Sequence, residues 1–173
     1  SGASALVTVD GFPRRGRRVP LKQTADRALA QVPGMRTCIV VRRDGGGCEM
    51  QDGRDAWWHD VVETADADPA VPDTPADTPL MIMYTSGTTG RPKGALHIHA
   101  GFPIKAAHDL AYCFDLQADD TLFWLTDLGW MMGPWLIFGG LMRGAAIVLQ
   151  EGTPDYPGPG RLWEMVERHR VTV

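Results

Sequence analysis

The sequence lacks any uninterrupted run of about 18 apolar residues, which is the length that a transmembrane helix requires. The nearest candidate, residues 124–149, is interrupted by Asp127, Arg143 and several glycines, and is better explained as a buried core. The first residues, SGASALVTVD, also lack the basic start and long apolar core of a secretory signal peptide. These absences argue against an integral membrane protein and a secreted protein, and we expect a cytoplasmic location.

Cysteines are also few, and basic residues are fewer than acidic ones. Only Cys38, Cys48 and Cys113 occur, and their spacing forms neither a paired-thiol motif nor a zinc motif. This pattern suits a reducing compartment, so we expect buried thiols that pack as small hydrophobic side chains, and no metal site. Because 21 acidic residues outnumber 17 lysines and arginines, the formal net charge is −4, which disfavours nonspecific nucleic-acid binding.

Short apolar runs alternate with segments of helical periodicity, and this order predicts the fold class. Strands are predicted at residues 5–9, 38–41, 80–84, 121–125 and 145–149. Helices are predicted at residues 22–31, 54–65, 100–114, 132–142 and 160–169. An α/β fold with a mostly parallel sheet flanked by helices explains this alternation.

Residues 66–79 differ from the rest of the chain, because they contain four prolines and several aspartates but almost no large apolar side chain. This composition predicts a linker or an extended surface segment. The apolar run at residues 171–173 is short, and the first strand begins almost at once. We therefore expect residues 1–173 to be part of a larger domain.

The stretch MYTSGTTGRPKGALH, residues 83–97, places hydroxyls, glycines and a lysine directly after an apolar strand. Glycines permit left-handed backbone and close approach of an anion, and consecutive N–H groups can form an anion-binding concavity. We predict a polyphosphate cradle at a strand–loop–helix transition, with the helix starting within a few residues of Lys93. It is not the common P-loop, because Pro92 precedes the lysine and Gly94 follows it. A glycine-rich turn without a ligand is the alternative.

The segment TSGTTGRPKG, residues 85–94, resembles the phosphate-binding signature of the adenylate-forming enzymes, which include acyl-CoA synthetases, luciferases and peptide-synthetase adenylation domains. Other segments resemble the acetyl-CoA synthetase branch: GFPRRGRRVPLK, AWWHD, TDLGW, GGLMRGAAIVLQEGTP and LWEMVERHRVTV. The resemblance covers nearly the whole chain, but only an internal part of the large N-terminal domain of that family.

This resemblance implies an enzyme that uses ATP, Mg²⁺ and CoA to convert a carboxylic acid into its acyl-CoA thioester. The implied ligands of the ATP phosphates are Thr85, Ser86, Gly87, Thr88, Thr89, Gly90 and Lys93. Lys93 would neutralise phosphate charge during catalysis. The usual carboxylate that assists magnesium lies beyond residue 173 in such enzymes.

Four arginines occupy positions 14, 15, 17 and 18 around Gly16. The resemblance implies that Arg14 and Arg17 contact the 3′-phosphate of CoA, for which guanidinium is well suited. Arg15 and Arg18 are expected to be solvated. From the residues alone, a solvated basic loop without a ligand remains the alternative.

The resemblance also implies that Trp130, Met131 and Met132 border the acyl pocket, although plain core packing is the alternative. Acetyl-CoA synthetases have small or polar residues near these methionines, so we do not expect strict specificity for acetate; the expected substrate is a short or medium carboxylic acid, with branched, oxo and aromatic acids among the candidates. His97 and His99 follow the loop, and we expect structural rather than catalytic roles for both.

The adenine-binding segment, the ribose-binding aspartate, the hinge and the C-terminal domain of such enzymes all come later than residue 173. We therefore expect the isolated chain to be inactive and to need the remainder of a parent enzyme. Two alternatives remain open: an adenylating enzyme with an acceptor other than CoA, and a non-catalytic nucleotide-binding module.

Overall fold

The structure is a computed structural model that describes residues 2–85 and 90–173, and its backbone divides into two compact units, Ser1–Val71 and Pro72–Val173. The strands are β1 (Ala5–Val9), β2 (Phe12–Arg14), β3 (Arg17–Val19), β4 (Thr37–Val41), β5 (Asp55–Trp57), β6 (Pro79–Thr85), β7 (Lys93–Ile98), β8 (Thr121–Phe123) and β9 (Ala146–Val148). The helices are α1 (Leu21–Leu29), α2 (Trp58–Glu63), α3 (Phe102–Cys113), α4 (Met132–Met142) and α5 (Arg161–His169). The predicted α/β class is confirmed.

The first unit contains a parallel three-stranded sheet in the order β1–β4–β5. Cys38 and Val40 of the central strand β4 are fully buried, whereas the residues between and beside them are half-buried. This alternation is the two-residue period of a strand. Leu29 of α1 packs on the two buried residues, so the helix covers one face of the sheet.

A buried ionic network also joins α1 to β5. The Lys22 ammonium, 1% exposed, lies 2.7 Å from an oxygen of Asp26 and 2.7 Å from an oxygen of Asp55, and donates to the Glu49 carbonyl at 3.2 Å. Arg54 completes the network through Asp55 at 2.6 Å. Burial alone would lower the pKa of Lys22, but its hydrogen bonds to the two aspartates raise it. Each buried charge of this network is tolerated because it lies beside a side chain of opposite charge.

The prediction of one helix over residues 54–65 was wrong in its first part. Asp55–Trp57 form the edge strand β5, and α2 begins only at Trp58. Ala56 pairs with Ile39 in parallel register. Three residues are too few to display a period, so their strand conformation depends on the hydrogen bonds that β4 offers.

The second unit contains the antiparallel pair β6–β7 and the parallel pair β8–β9. Its core brings α3 and α4 against β8, and the buried residues are Ala106, Leu110, Leu116, Leu122, Trp135, Leu136 and Ala145. The apolar end of the chain runs beside β8, since Thr172 N–H donates to Thr121 O at 3.0 Å and Phe123 N–H donates to Val173 O at 2.9 Å.

Residues 65–78 contain turns and irregular backbone, and the division between the two units falls within them. Their role as a linker stays a prediction. No described helix combines the length and apolar character needed to cross a bilayer.

The three cysteines are free, but they are not equally buried. Cys38 is buried as predicted and Cys48 is half-buried. The prediction was wrong for Cys113, which is exposed at the last residue of α3.

Close contact between α3 and α4 depends on a glycine. A Cβ atom at Gly139 would lie 2.7 Å from Leu110 Cδ1 and 2.9 Å from the Ala106 carbonyl oxygen. We expect Gly139→Ala to lower the free energy of unfolding by about 1–2 kcal/mol, because overpacking forces the helices apart. Urea unfolding followed by circular dichroism measures this change.

Gly158→Ala is the matched control, because a Cβ at this position in the same unit would meet no atom within 4 Å. Equal stabilities of the two variants would contradict the role given to Gly139.

Candidate functional site

The predicted phosphate loop lies at the closed end of the β6–β7 hairpin. Thr85, the last residue of β6, pairs with Lys93, the first residue of β7. Gly90 has φ +79°, in the left-handed region that glycine adopts without strain. The pairing of Thr85 with Lys93 thus holds the two ends of the predicted cradle together. The predicted ligands Ser86, Gly87, Thr88 and Thr89 lie outside the described residues.

The predicted strand–loop–helix transition was wrong. Lys93–Ile98 form a strand that runs antiparallel to β6, and the next helix begins only at Phe102. Antiparallel neighbours can be joined by a short connection, whereas parallel ones need a long crossover. The segment KGALHI is short enough to fit either period, so pairing with β6 decides its conformation.

Gly94 allows the hairpin to close tightly beside the loop. It pairs with Tyr84, and a Cβ on Gly94 would lie 2.9 Å from Ile82 Cγ2 and 3.3 Å from Tyr84 Cε1. A larger side chain at this position would have to displace the side chains of Ile82 and Tyr84.

A cavity of about 630 Å³ lies within the second unit, among β7, α3 and the start of α4. It is lined by Leu96, His97, Ile98, Gly101, Phe102, Lys105, Ala106, Asp109, Cys113, Phe114, Met131, Met132 and Trp135. Most of these side chains are apolar, and the volume is in the range of small-molecule sites. The cavity shares β7 with the phosphate loop.

The two charged side chains of the cavity, Lys105 and Asp109, lie on α3. Lys105 forms an ion pair with Asp109 one turn later, and Trp135 Nε1 donates to Asp109 Oδ2 at 3.4 Å. The hydrogen bond from Lys105 lowers the pKa of Asp109. The His97 ring stands edge-on to Phe102 at a centroid distance of 4.9 Å, which fits the expected structural role of this histidine.

The structure separates the three residues predicted for the acyl pocket. Met131 and Met132 line the cavity, whereas Trp130 is 61% exposed and is not among its lining residues. The sequence analysis missed the contribution of α3. The spacing of Phe102, Ala106 and Asp109 on one face of the predicted helix was the available signal.

In the first unit, Arg14 and Arg17 are directly opposite each other in the β2–β3 hairpin. Arg15 (φ +48°) and Gly16 (φ +73°) form its two-residue turn, and positive φ at both positions is typical of the tight turn that suits twisted strands. The four arginines and Val19 line a depression of about 550 Å³. The predicted CoA-binding pair therefore lies in one cationic surface.

Arg18 is solvent-exposed as expected, with 37% of its side chain accessible, but it also has a partner that the sequence did not predict. Its Nε donates to Asp44 Oδ2 at 2.6 Å, and its Nη2 donates to the Gly47 carbonyl at 3.1 Å. The hydrogen bond to Asp44 raises the pKa of Arg18. This contact spans 26 residues of sequence, which is why local patterns did not reveal it.

The segment that carries Asp44 is held by Asp10, which is 1% exposed. The Asp10 carboxylate accepts backbone N–H bonds from Gly11 at 2.8 Å, Arg43 at 2.8 Å, Asp44 at 3.2 Å and Gly45 at 3.1 Å. Burial alone would raise the pKa of Asp10, but these four donors outweigh it and lower the pKa to about 2.

No group of three or more His, Cys, Asp or Glu side chains within residues 2–85 and 90–173 is arranged to hold a metal ion.

The chain is similar to known proteins along its whole length. The family model described as "AMP-binding enzyme" matches residues 1–173. The acetyl-coenzyme A synthetase of Rhodopirellula baltica is 42% identical over 100% of this chain and 26% of its own length. That of Xanthomonas oryzae pv. oryzae is 43% identical over 97% of this chain and 26% of its own length.

A solved structure is similar as well. Acetoacetyl-CoA synthetase from Streptomyces lividans superposes with a TM-score of 0.86 at 34% identity, over 98% of this chain and 25% of that one. The chain thus spans about a quarter of the length of the proteins it matches.

The hydrogen bonds of Asp10 give a prediction on stability and pH. At pH 7, Asp10→Asn should lower the free energy of unfolding by about 2 kcal/mol, because the amide nitrogen cannot accept N–H bonds. The wild-type advantage should be complete above the unfolded pKa of about 3.9 and be lost as the pH falls towards the folded pKa. Urea unfolding from pH 7 down to the acid limit of the fold tests this.

Asp52→Asn is the control, because it removes an exposed carboxylate from the same unit. A difference between wild type and Asp10→Asn that stays constant as the pH falls below 4 would argue against the anchoring role of the carboxylate.

Proposed function

Because the chain belongs to the AMP-binding enzyme family, we propose that it is part of an acyl-CoA synthetase. The enzyme would activate a short or medium carboxylic acid with ATP and transfer the acyl group to CoA in the cytoplasm. The catalyst would be the longer parent protein, since the chain spans about a quarter of its relatives. We propose that the isolated chain is inactive.

The proposed reaction must overcome the negative charge of the carboxylate, which repels nucleophiles. A carboxylate is a poor electrophile, so one of its oxygens first attacks the α-phosphorus of ATP, forming acyl-AMP and releasing pyrophosphate. The CoA thiol, losing its proton, then attacks the acyl carbonyl, and AMP leaves to give the thioester. The protein mainly positions the reactants and stabilises phosphate charge.

One observation carries this proposal: strand pairing holds Thr85 beside Lys93 at the two ends of TSGTTGRPKG. In this arrangement the Lys93 ammonium and the hydroxyls and N–H groups of the loop can act on one polyphosphate. We assign Thr85, Gly90 and Lys93, together with residues 86–89, to the β- and γ-phosphates.

The magnesium ion expected with ATP would be held by phosphate oxygens and by ligands elsewhere in the parent. No ligand is assigned to it from this chain, because the described residues contain no metal-binding cluster.

We assign the 3′-phosphate of CoA to Arg14 and Arg17. The assignment is supported by their direct pairing across the hairpin and by the cationic depression that they line. Guanidinium forks match phosphate oxygens in pairs.

We assign the acyl group to the cavity beside Met131 and Met132. A volume of about 630 Å³ exceeds what an acetyl group needs and supports a larger apolar acid. Trp130 would contribute at the mouth of this pocket rather than in its lining.

The reaction is tested by ATP–pyrophosphate exchange with the full-length parent and with this chain, across a panel of short, branched, oxo and aromatic acids. We expect exchange by the parent alone, followed by thioester formation when CoA is added. Exchange without thioester formation would favour an acceptor other than CoA. ATP binding without exchange would favour a non-catalytic nucleotide-binding module.

Replacement of the loop lysine tests the phosphate assignment. Lys93→Ala in the parent should lower the exchange rate by on the order of 100-fold, because a preorganised charge on the phosphates is lost. Arg170→Ala, outside the proposed sites, is the control. An unchanged exchange rate in Lys93→Ala would remove this residue from the mechanism.

Filling the cavity tests the acyl assignment. Met132→Trp in the parent should lower kcat/KM for the larger acids by about tenfold or more while changing acetate by only a few-fold, because the added volume excludes larger groups. Met142→Trp provides a matched control, since Met142 is an exposed residue at the other end of α4. Equal effects on all acids would place the substrate elsewhere.

A further inference from the structure

We infer that Arg18 and Asp44 are positioning residues, which hold the arginine hairpin in the arrangement that binds the 3′-phosphate of CoA. This inference rests on the proposed function of Arg14 and Arg17. Neither Arg18 nor Asp44 needs to touch the ligand for this role.

Arg18 is held at two points of its guanidinium. The Nε atom donates to Asp44 Oδ2 at 2.6 Å, while Nη2 donates to Asp44 Oδ1 at 3.3 Å and to the Gly47 carbonyl at 3.1 Å. A bidentate pair with an additional carbonyl acceptor restricts both the position and the rotation of the planar group.

Asp44 is itself held in place. Its backbone N–H donates to the Asp10 carboxylate at 3.2 Å, and its Oδ1 accepts from the Gly46 N–H at 2.9 Å. The side chain of Asp44 is 15% exposed and that of Arg18 is 37% exposed, so the carboxylate is the more shielded partner. The chain of contacts runs from buried Asp10 through Asp44 to Arg18.

Two glycines lie close against the pair. A Cβ on Gly46 would lie 2.5 Å from Arg18 Nε, and a Cβ on Gly11 would lie 2.6 Å from Asp44 Oδ2 and 2.9 Å from Arg18 Nη2. The guanidinium therefore rests directly on two glycine backbones. This packing leaves Arg18 little freedom to adopt another rotamer.

The hairpin transmits this restraint to the proposed ligands. Arg18 is next to Arg17 in β3, and Arg17 pairs with Arg14 across the two-residue turn. An anchored Arg18 thus fixes the backbone from which both proposed ligands project. Preorganised arginines bind phosphate more tightly because less side-chain and loop entropy is lost on binding.

Charge and positioning make opposite predictions for Asp44, and this difference supplies the test. Removing a carboxylate near a cationic site should strengthen anion binding if only charge matters. Removing it should weaken binding if the carboxylate holds the arginines in place. The direction of the change therefore separates the two roles.

The experiment measures binding of CoA and of 3′-dephospho-CoA to the full-length parent by isothermal titration calorimetry. Wild type should bind CoA more tightly than dephospho-CoA. We expect Asp44→Asn to weaken CoA binding by roughly three- to tenfold, the net effect of about one hydrogen bond, and to leave dephospho-CoA binding unchanged. Asp52→Asn, the same change at an exposed position of the same unit, should not weaken either ligand.

Arg18→Lys is the second variant, because it keeps the charge but loses the planar guanidinium; it should weaken CoA binding in the same way. Urea unfolding checks that both variants stay folded at the assay temperature. CoA binding by Asp44→Asn and Arg18→Lys that equals or exceeds wild type would overturn the positioning role while leaving the CoA assignment intact. Equal affinity of wild type for CoA and dephospho-CoA would overturn the assignment of the 3′-phosphate itself, and this inference with it.

Discussion

A carboxylate removed from water must be matched by donors, and in the first unit this requirement at Asp10 organises the surface around it. Four backbone N–H groups, from Gly11 and from residues 43–45, satisfy the buried group. They join the end of β1 to the turn after β4, and that turn carries Asp44. Through the pair of Asp44 with Arg18, the hydrogen bonds of Asp10 connect this turn to the arginine hairpin.

In the second unit, one hairpin contributes residues to two proposed sites. The first residue of β7, Lys93, lies at the phosphate loop, and its last residues, Leu96 to Ile98, line the apolar cavity. An acid in the cavity and the phosphates of ATP would thus be positioned by one continuous strand. Tight packing of α4 on α3, which requires Gly139, sets the opposite wall of that cavity.

Local patterns predicted much of the fold but less of each site. Helix α4 and strand β1 have the predicted bounds, because apolar length and periodicity are properties of a continuous segment. The segment 93–98 was expected to lead into a helix and is a strand, because pairing with β6 outweighs its weak local preference. Arg18 is exposed as expected, but its pairing with Asp44 was not predicted, since a partner 26 residues away leaves no local signal.

The sequence alone determined the family resemblance, the α/β class and the residue types of the phosphate loop and of the arginine cluster. These properties depend only on the order of residues along the chain, and a specific motif such as TSGTTGRPKG can be recognised without a structure. The tertiary structure alone decided that the loop closes an antiparallel hairpin, that α3 contributes a wall of the cavity and that Trp130 does not. Such facts depend on which distant groups meet, and contacts between distant segments form only when burial and hydrogen bonding are satisfied across the whole fold.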